Sequence, residues 1–494
     1  MAFALPDTAL LPDYSVVIGD SREAAASGGT LEHRYPANGE VTATLSLAGA
    51  AEVDAAVASS QAAFPAWRDL PGNARRNLLL KLADLIERDA ALFGQLATLE
   101  NGSPSMMGPY MAPVAAERFR YYAGYTDKLK GETLSAWNGP AHNYVNYEPF
   151  GVVAAIIPWN GPLFAAAMVM APALAAGNCV ILKAPELAPY AALHLGRLCV
   201  EAGLPPGVVN TLLGGPALGE AMVAHPGVGK VQFVGSGATA RKVLKTASET
   251  LKPVALELGG KSAVVVFDDA HLMMAAQRGL SGAMSVSGQG CVNGTRLLVA
   301  RAVYPQYLEM LKGIAGHIPV GDPLEGSTVM GPLISEASVE RILGVISDAQ
   351  ADGATLALGG ERLQGDHAAG YFLPITLLAD VDNGSAAAQR EIFGPVLTVT
   401  PFDSEEEAIA LANGTDYGLG AYVHTQDLRR AHRVANAMQA GMVHVNASGE
   451  GMQPFAPFGG MKHSGFGRLG GEQGLLEFLQ PRNVWMNLAE EPQQ

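Results

Sequence analysis

The chain has 494 residues, 49% of them hydrophobic and 16% charged, and 32 Lys and Arg against 47 Asp and Glu give a net charge of −15. That length exceeds one small core and predicts two or three folded units, while the composition is too apolar for disorder. The acidic balance, with no Lys/Arg run to offset it, disfavours nucleic acid and anionic membrane surfaces as partners.

The opening "MAFALPDTALLPDY" has no basic region ahead of a long apolar run and no cleavage signal, so a cytoplasmic location is the expectation. Residues 51 to 100 carry apolar side chains at helical spacing and predict helices. "NYVNYEPFG" alternates tyrosines with polar residues and reads as an edge strand outside the sequential pattern, suited to a pairing arm. From Gly151 to Leu182 only Asn160 and Asn178 are strongly polar, long enough for a membrane span. Pro158, Pro162 and Pro172 would interrupt such a helix, and the pattern instead predicts a buried strand–helix–strand unit with no membrane partner. Strands and helices then alternate to about residue 250, and again after residue 294, predicting two α/β units with mostly parallel sheets.

Three cysteines are too few for a disulfide framework, and their spacing suits no metal. Cys179 and Cys199 sit in apolar strand-like and helix-like settings and read as buried structural thiols. Cys291 differs: in "SVSGQGCVNGTR" it is flanked by Gly288, Gly290 and Gly294. Glycine removes bulk and lets another molecule approach the sulfur, which points to a reactive thiol.

Other residues admit two readings each. Asn160 is either a loop or helix-capping amide or an N–H donor aimed at a developing oxyanion. Lys183 and Glu186 follow a buried strand, at the sheet edge where α/β folds bind ligands; there they suit ribose hydroxyls, and the carboxylate would repel a 2′-phosphate. Gly235, Ser236 and Gly237 form a strand-to-helix turn able to offer N–H groups to a pyrophosphate, although many tight turns look alike. Glu257, in the apolar "VALELGG", is either a salt-bridge partner or a general base with a raised pKa. Glu391 and Phe393 stand beside a rigid Gly-Pro, Phe393 reading more readily as core than as a cofactor contact. The glycine-dense "PFGGMKHSGFGRLGG" reads as a loop closing on something, with His463 and Arg468 structural.

Together "PWNGP", "LKAPE", "FVGSG", "LELGGKS", "GQGC", "EIFGPV" and "PFGGMKHSGFGR" resemble, in order and spacing, the aldehyde dehydrogenase superfamily over residues 33 to 485. The resemblance implies an α/β fold with a Rossmann-like NAD-binding domain (1–127 and 149–259) and an α/β catalytic domain (260–463). It also implies a β oligomerisation arm with the C-terminal segment (128–148 and 464–494), pairing in a homodimer or homotetramer. It implies oxidation of a small-molecule aldehyde to the acid: Cys291 attacks, Asn160 and the Cys291 N–H hold the oxyanion, and Glu257 activates the hydrolytic water. NAD, in preference to NADP, would contact Ile157, Trp159, Lys183, Glu186, Gly235, Ser236, Leu258, Glu391 and Phe393. No metal is implied.

Three positions depart from the family pattern: Asn293 after the cysteine, Arg390 before Glu391, and Leu469 where a glutamate is common. They bear on the proton relay. The substrate pocket is expected from Gly161, Phe164, Ala165, Met168, Gly290 and Val292. The small and flexible residues suit an aromatic or bulky apolar aldehyde, and read equally well as packing the helix against its neighbours. A semialdehyde dehydrogenase, or a non-enzymatic protein on the same scaffold, are the alternatives. No arginine is marked by its local sequence as a partner for a substrate carboxylate.

Overall fold

The computed structural model describes residues 3–23, 26–448 and 453–489. Two large sheets organise the chain. The first has eight strands in the order Ser21–Glu23, Val16–Ile18, Val209–Leu213, Cys179–Ala184, Val152–Ile156, Lys230–Gly235, Val254–Leu258, Gly465–Phe466. Its five central strands run parallel, and antiparallel strands border them on both sides. The central strands Val152–Ile156 and Cys179–Ala184 are buried throughout. That is why they read as unbroken apolar runs rather than as alternation.

The chain moves outward in one direction from Val152–Ile156 through the next two strands, then returns to its other side with Lys230–Gly235. The order therefore reverses between Val152–Ile156 and Lys230–Gly235. A crevice outside the strand ends at such a reversal is where doubly wound sheets bind ligands. The residues leaving the two strands there are Ile157 to Asn160 and Ser236.

The second sheet has seven strands, six of them parallel, including Gly294–Ala300, Ser262–Val266, Gly420–His424 and the edge strand Met442–Val445. Strand Val254–Leu258 of the first sheet and Ser262–Val266 of the second are joined by Gly259, Gly260 and Lys261, so the two sheets meet at this short connection.

The tyrosine-rich segment corrects one expectation. Ala141–Pro149 is the middle strand of a three-stranded antiparallel sheet, flanked by Glu132–Leu134 and Leu479–Asn487, and not an edge. The C-terminal strand pairs with it residue for residue within one chain, from Leu479↔Pro149 to Asn487↔Ala141. Residues 1, 2, 24, 25, 449–452 and 490–494 of the expected domains and segments lie outside the described residues. Helix Gly108–Ala123 was not legible beforehand, because Pro109 and Pro113 mask its period. The apolar stretch after Asn160 is a 14-residue helix, Pro162–Ala175, and among the described residues no helix is long and apolar enough to cross a membrane.

Candidate active site

The cysteine sits at the end of an unusual turn. Helix Leu272–Met284 ends, and Val286, Ser287 and Gly288 then adopt φ of 48°, 53° and 77°. A β-branched residue in the left-handed region is strained and persists only where its surroundings enforce it. Here a Cβ on Gly288 would lie 2.1 Å from the carbonyl carbon of Gly394, so the turn is seated directly on the Gly-Pro of "EIFGPV". Gly288→Ala is therefore expected to lower unfolding free energy by about 2 kcal/mol, through overpacking against backbone at an unfavourable φ. A fall in the thermal melting temperature would read this out, and an unchanged melt would reject the packing account.

The "LELGG" glycines explain how separate segments converge. A Cβ on Gly259 would fall 2.1 Å from Glu391 Oε2, and one on Gly260 would lie 2.7 Å from the Cys291 carbonyl oxygen. Both positions must lack side chains for the Glu391 carboxylate and the Cys291 backbone to come this close. The Gly260 N–H donates to Glu391 Oε1 at 3.1 Å. The strand bearing Glu257 therefore ends directly beside the cysteine.

Glu257 is 3% exposed and its Oε2 accepts no hydrogen bond. Burial raises its pKa well above the carboxylate range, Arg468 opposes this, and Glu477 adds to it. The glycine-dense loop closes on this strand. A Cβ on Gly459 would meet Glu257 Oε1 at 2.9 Å, the Ser464 hydroxyl donates to Gly259 O at 2.7 Å, and Leu258 N–H donates to Ser464 O at 3.0 Å. Within the loop Arg468 donates to the carbonyls of Gly460 and Gly467, and His463 faces Asp416 at 3.5 Å on the surface.

Cys291 is partly exposed, unlike Cys179 and Cys199, which are buried. Its thiol is pushed up to about 12, first by loss of water around the sulfur and then by the Glu391 and Glu257 carboxylates. The backbone N–H groups of Cys291 and Val292 pull the other way.

Asn160 is not a helix cap: Gly161 holds that position on Pro162–Ala175, with no side-chain cap. Its Nδ2 instead donates to the Gln289 carbonyl at 2.7 Å, two residues before the cysteine. The neighbouring Trp159 meets Phe393 edge to face, with ring centroids 5.4 Å apart, and Phe393 holds φ 53°.

Along the sheet edge, Lys183 Nζ pairs with Glu186 Oε2 at 2.9 Å, Lys183 being buried and Glu186 half-buried. Ser236 caps helix Gly237–Ser248, its hydroxyl accepting from Thr239 N–H at 3.3 Å. Ile157 and Leu258 are buried beneath this edge.

The departures find structural reasons. A Cβ on Gly290 would lie 2.5 Å from Asn293 Oδ1, while Asn293 Nδ2 donates to Ser285 O at 3.3 Å. The amide thus braces the cysteine turn. Leu469 is fully buried in the core, and Arg390 is exposed.

The expected pocket residues divide. A Cβ on Gly161 would meet nothing within 4 Å, leaving open space beside Asn160. Met168 lines a cleft with Arg118, Tyr122 and Phe458. Val292 lines a different cavity with Arg278 and Tyr422, and its carbonyl accepts from the Tyr422 hydroxyl at 2.8 Å. Ala165 is buried, and Phe164 lies under the Arg118 guanidinium.

Sequence reading missed two residues. Lys261 is 1% exposed with an unpartnered Nζ, and burial and Arg296 lower its pKa to about 7 against the pull of Glu391. Its charge in the apolar run after "LELGG" was the available signal. Gln289 is buried and accepts the Ile334 N–H at 3.0 Å, fixing the carbonyl that Asn160 reaches.

Comparison with known proteins follows the same geometry. The model of the aldehyde dehydrogenase family matches residues 23–484. The chain is 40% identical over 466 residues to the aldehyde dehydrogenase of Emericella nidulans, covering 94% of this chain and 93% of that one. It is 39% identical over 469 residues to the peroxisomal aminoaldehyde dehydrogenase 2 of Pisum sativum, covering 92% of each. The NAD+ complex of the aldehyde dehydrogenase from Bacillus cereus superposes with a TM-score of 0.93 at 39% identity, over 96% of this chain and 97% of that one. With the fold and nearly the whole length in agreement, the chain belongs to the aldehyde dehydrogenase family.

Proposed function

We propose that this protein oxidises a bulky aldehyde to its carboxylic acid with NAD, through covalent catalysis by Cys291. The observation that carries the reading is the convergence at one turn. Cys291 lies against Gly260 beside the strand of Glu257, and Asn160 reaches the carbonyl two residues before the sulfur.

The donor set at the crevice fits NAD. Lys183 and Glu186 offer ribose hydroxyls a cation and a carboxylate, Ser236 stands at a helix N-terminus suited to pyrophosphate, and Glu391 beside Gly259 suits the second ribose. Ile157, Gly235 and Leu258 form the floor, with Trp159 and Phe393 along the path. Glu186 would repel a 2′-phosphate, which favours NAD over NADP. NAD, when bound, supplies the hydride acceptor.

The Cys291 thiol gives up its proton to solvent water, and Sγ forms a bond to the aldehyde carbon as the carbonyl π-electrons move to oxygen. The Asn160 amide has two N–H bonds; one is directed at Gln289 O, and the other with the Cys291 backbone N–H serves the oxyanion. Collapse of that oxyanion expels hydride from the same carbon and leaves a thioester on Cys291. Glu257 takes a proton from water, which attacks the thioester; the C–S bond breaks, releasing the acid and restoring the thiol. A carboxyl whose pKa burial has raised is suited to this work near neutrality.

We also propose that residues 1–127 with 149–259 act as the cofactor unit and 260–463 as the catalytic unit. The arm at 128–148, with the C-terminal strand, is proposed to assemble a homodimer or homotetramer. Its exposed Leu134, Trp137, Trp485 and Met486 support this role.

The test is NADH formation with benzaldehyde-type, long-chain and semialdehyde substrates, using NAD and NADP separately. Reduction of NAD faster than NADP, best with aromatic aldehydes, is expected. Reduction of neither cofactor with any aldehyde would refute the reading. Gly161→Phe, filling open space on an extended backbone, is expected to raise KM for aromatic aldehydes by about tenfold. Its melting temperature should stay near wild type; an unchanged KM would place the substrate elsewhere.

A further inference from the structure

The segments that carry the reacting groups are joined by a closed ring of contacts, and one member of it has no part in the chemistry above. Helix Ala90–Asn101 ends at Gly102, whose φ of 74° stops the helix and whose N–H donates to Thr98 O at 3.1 Å. The last helical residue, Asn101, is 1% exposed. Its Oδ1 accepts the Ser103 N–H at 3.1 Å and the Ser103 hydroxyl at 2.7 Å. With the amide fixed in this way, Nδ2 donates to the Trp159 carbonyl at 3.3 Å, one residue before Asn160.

From there the ring passes through both sides of the site. Asn160 reaches the Gln289 carbonyl at 2.7 Å, and Gln289 Oε1 accepts the Ile334 N–H at 3.0 Å. The Ser287 hydroxyl donates to Gly331 O at 2.8 Å, so residues 331–334 are held at both ends by the turn that carries Cys291. That segment then returns to the starting corner. A Cβ on Gly331 would lie 2.1 Å from Gly102 O, and one on Gly102 would meet Pro332 Cγ at 2.5 Å. The two backbones are in direct contact there, which both glycines permit. With Gly102 seated on 331–332, the Asn101 amide closes the circuit by tying this corner to the loop 157–160.

An oxyanion donor works by standing where charge will appear, so its placement relative to the nucleophile decides its value. Asn160 follows a strand of the first sheet, and Cys291 precedes a strand of the second. Their spacing is therefore set by tertiary contacts and not by the local chain. Resting on the aldehyde-oxidising reading above, we infer that Asn101 is a positioning residue for the oxyanion step. It holds the backbone that carries Asn160 at a set distance from Cys291. Its own side chain is buried and committed to Ser103 and Trp159, so it acts through Asn160 rather than on the substrate. Lys183, Glu186 and Ser236 lie outside the ring, so loss of the tie should spare NAD binding and weaken the transition state.

The experiment is a double-mutant cycle in NADH formation with benzaldehyde, comparing wild type, Asn101→Ala, Asn160→Ala and the double variant. NAD titration and thermal melting of each protein run beside it. Asn101→Ala is expected to lower kcat by about tenfold or more, with aldehyde KM and NAD affinity within about twofold of wild type. In the Asn160→Ala background the same change should cost less than about twofold, because the group it positions is gone. Equal losses in both backgrounds would make Asn101 a general part of the scaffold and overturn the inference. So would an Asn101→Ala enzyme with wild-type kcat. Should the alanine variant not fold, Asn101→Ser keeps a hydrogen-bonding group for Ser103 but is too short to reach Trp159, and the same two comparisons apply. NADH formation by wild type separates these failures from failure of the aldehyde-oxidising reading itself, in which no aldehyde yields NADH.

Discussion

Cys291→Ala is expected to abolish aldehyde-dependent NADH formation, lowering kcat/KM by about four orders of magnitude or more. The change removes one sulfur atom. It leaves the main-chain contacts that shape the turn: Gly288 on Gly394, and Gly260 on the Cys291 carbonyl. The variant should therefore fold and still bind NAD, since the crevice residues Lys183, Glu186 and Ser236 belong to other segments. Steady-state absorbance of NADH, with NAD binding followed by titration in parallel, makes the check. Retention of more than about a tenth of wild-type turnover would remove Cys291 from the nucleophile role.

Glu257→Gln should separate the two halves of the reaction. Without its base the thioester forms but hydrolyses slowly, giving a burst of one NADH per site. Steady-state turnover should then be about 10²- to 10³-fold below wild type. Rapid-mixing kinetics would reveal the burst; its absence, with both phases equally slow, would place Glu257 before hydride loss. The pH behaviour follows from the raised pKa. The base works only when ionised, so wild-type hydrolysis should increase as pH rises through that raised value, and this limb should vanish in the variant.

Stability has the opposite sign. The folded state holds the Glu257 proton more tightly than the unfolded chain does. Between the ordinary carboxylate pKa and the raised one, ionisation therefore costs stability as pH rises. Glutamine does not titrate, so the melting temperature of the variant relative to wild type should increase across that window.

Much of the fold was legible because its signals are local. Val152–Ile156 and Cys179–Ala184 are buried on both faces, so their residues had to be apolar without alternation. The turn at Gly235, Ser236 and Gly237 was legible as a strand-to-helix junction because glycine and serine favour such turns, and Ser236 caps the helix that follows. Cys291 stood out because glycine around a cysteine serves close approach better than packing. Where the sequence was silent, the cause was also local: two prolines hid helix Gly108–Ala123. The tyrosine-rich segment was legible as a strand, but its place in the middle of its sheet depended on partners on both sides. One of these, Leu479–Asn487, is more than 300 residues away.

The sequence by itself determined the family, the strand–helix alternation and the chemical types of the site. These follow from side-chain sterics and solvation within a few residues. Only the tertiary structure decided that Asn160 reaches the Gln289 carbonyl rather than capping its own helix, and that Gly259 and Gly260 admit Glu391 and Cys291. Such contacts join segments up to about 130 residues apart in the chain. Close packing between whole elements selects them, and no window of local sequence carries that information.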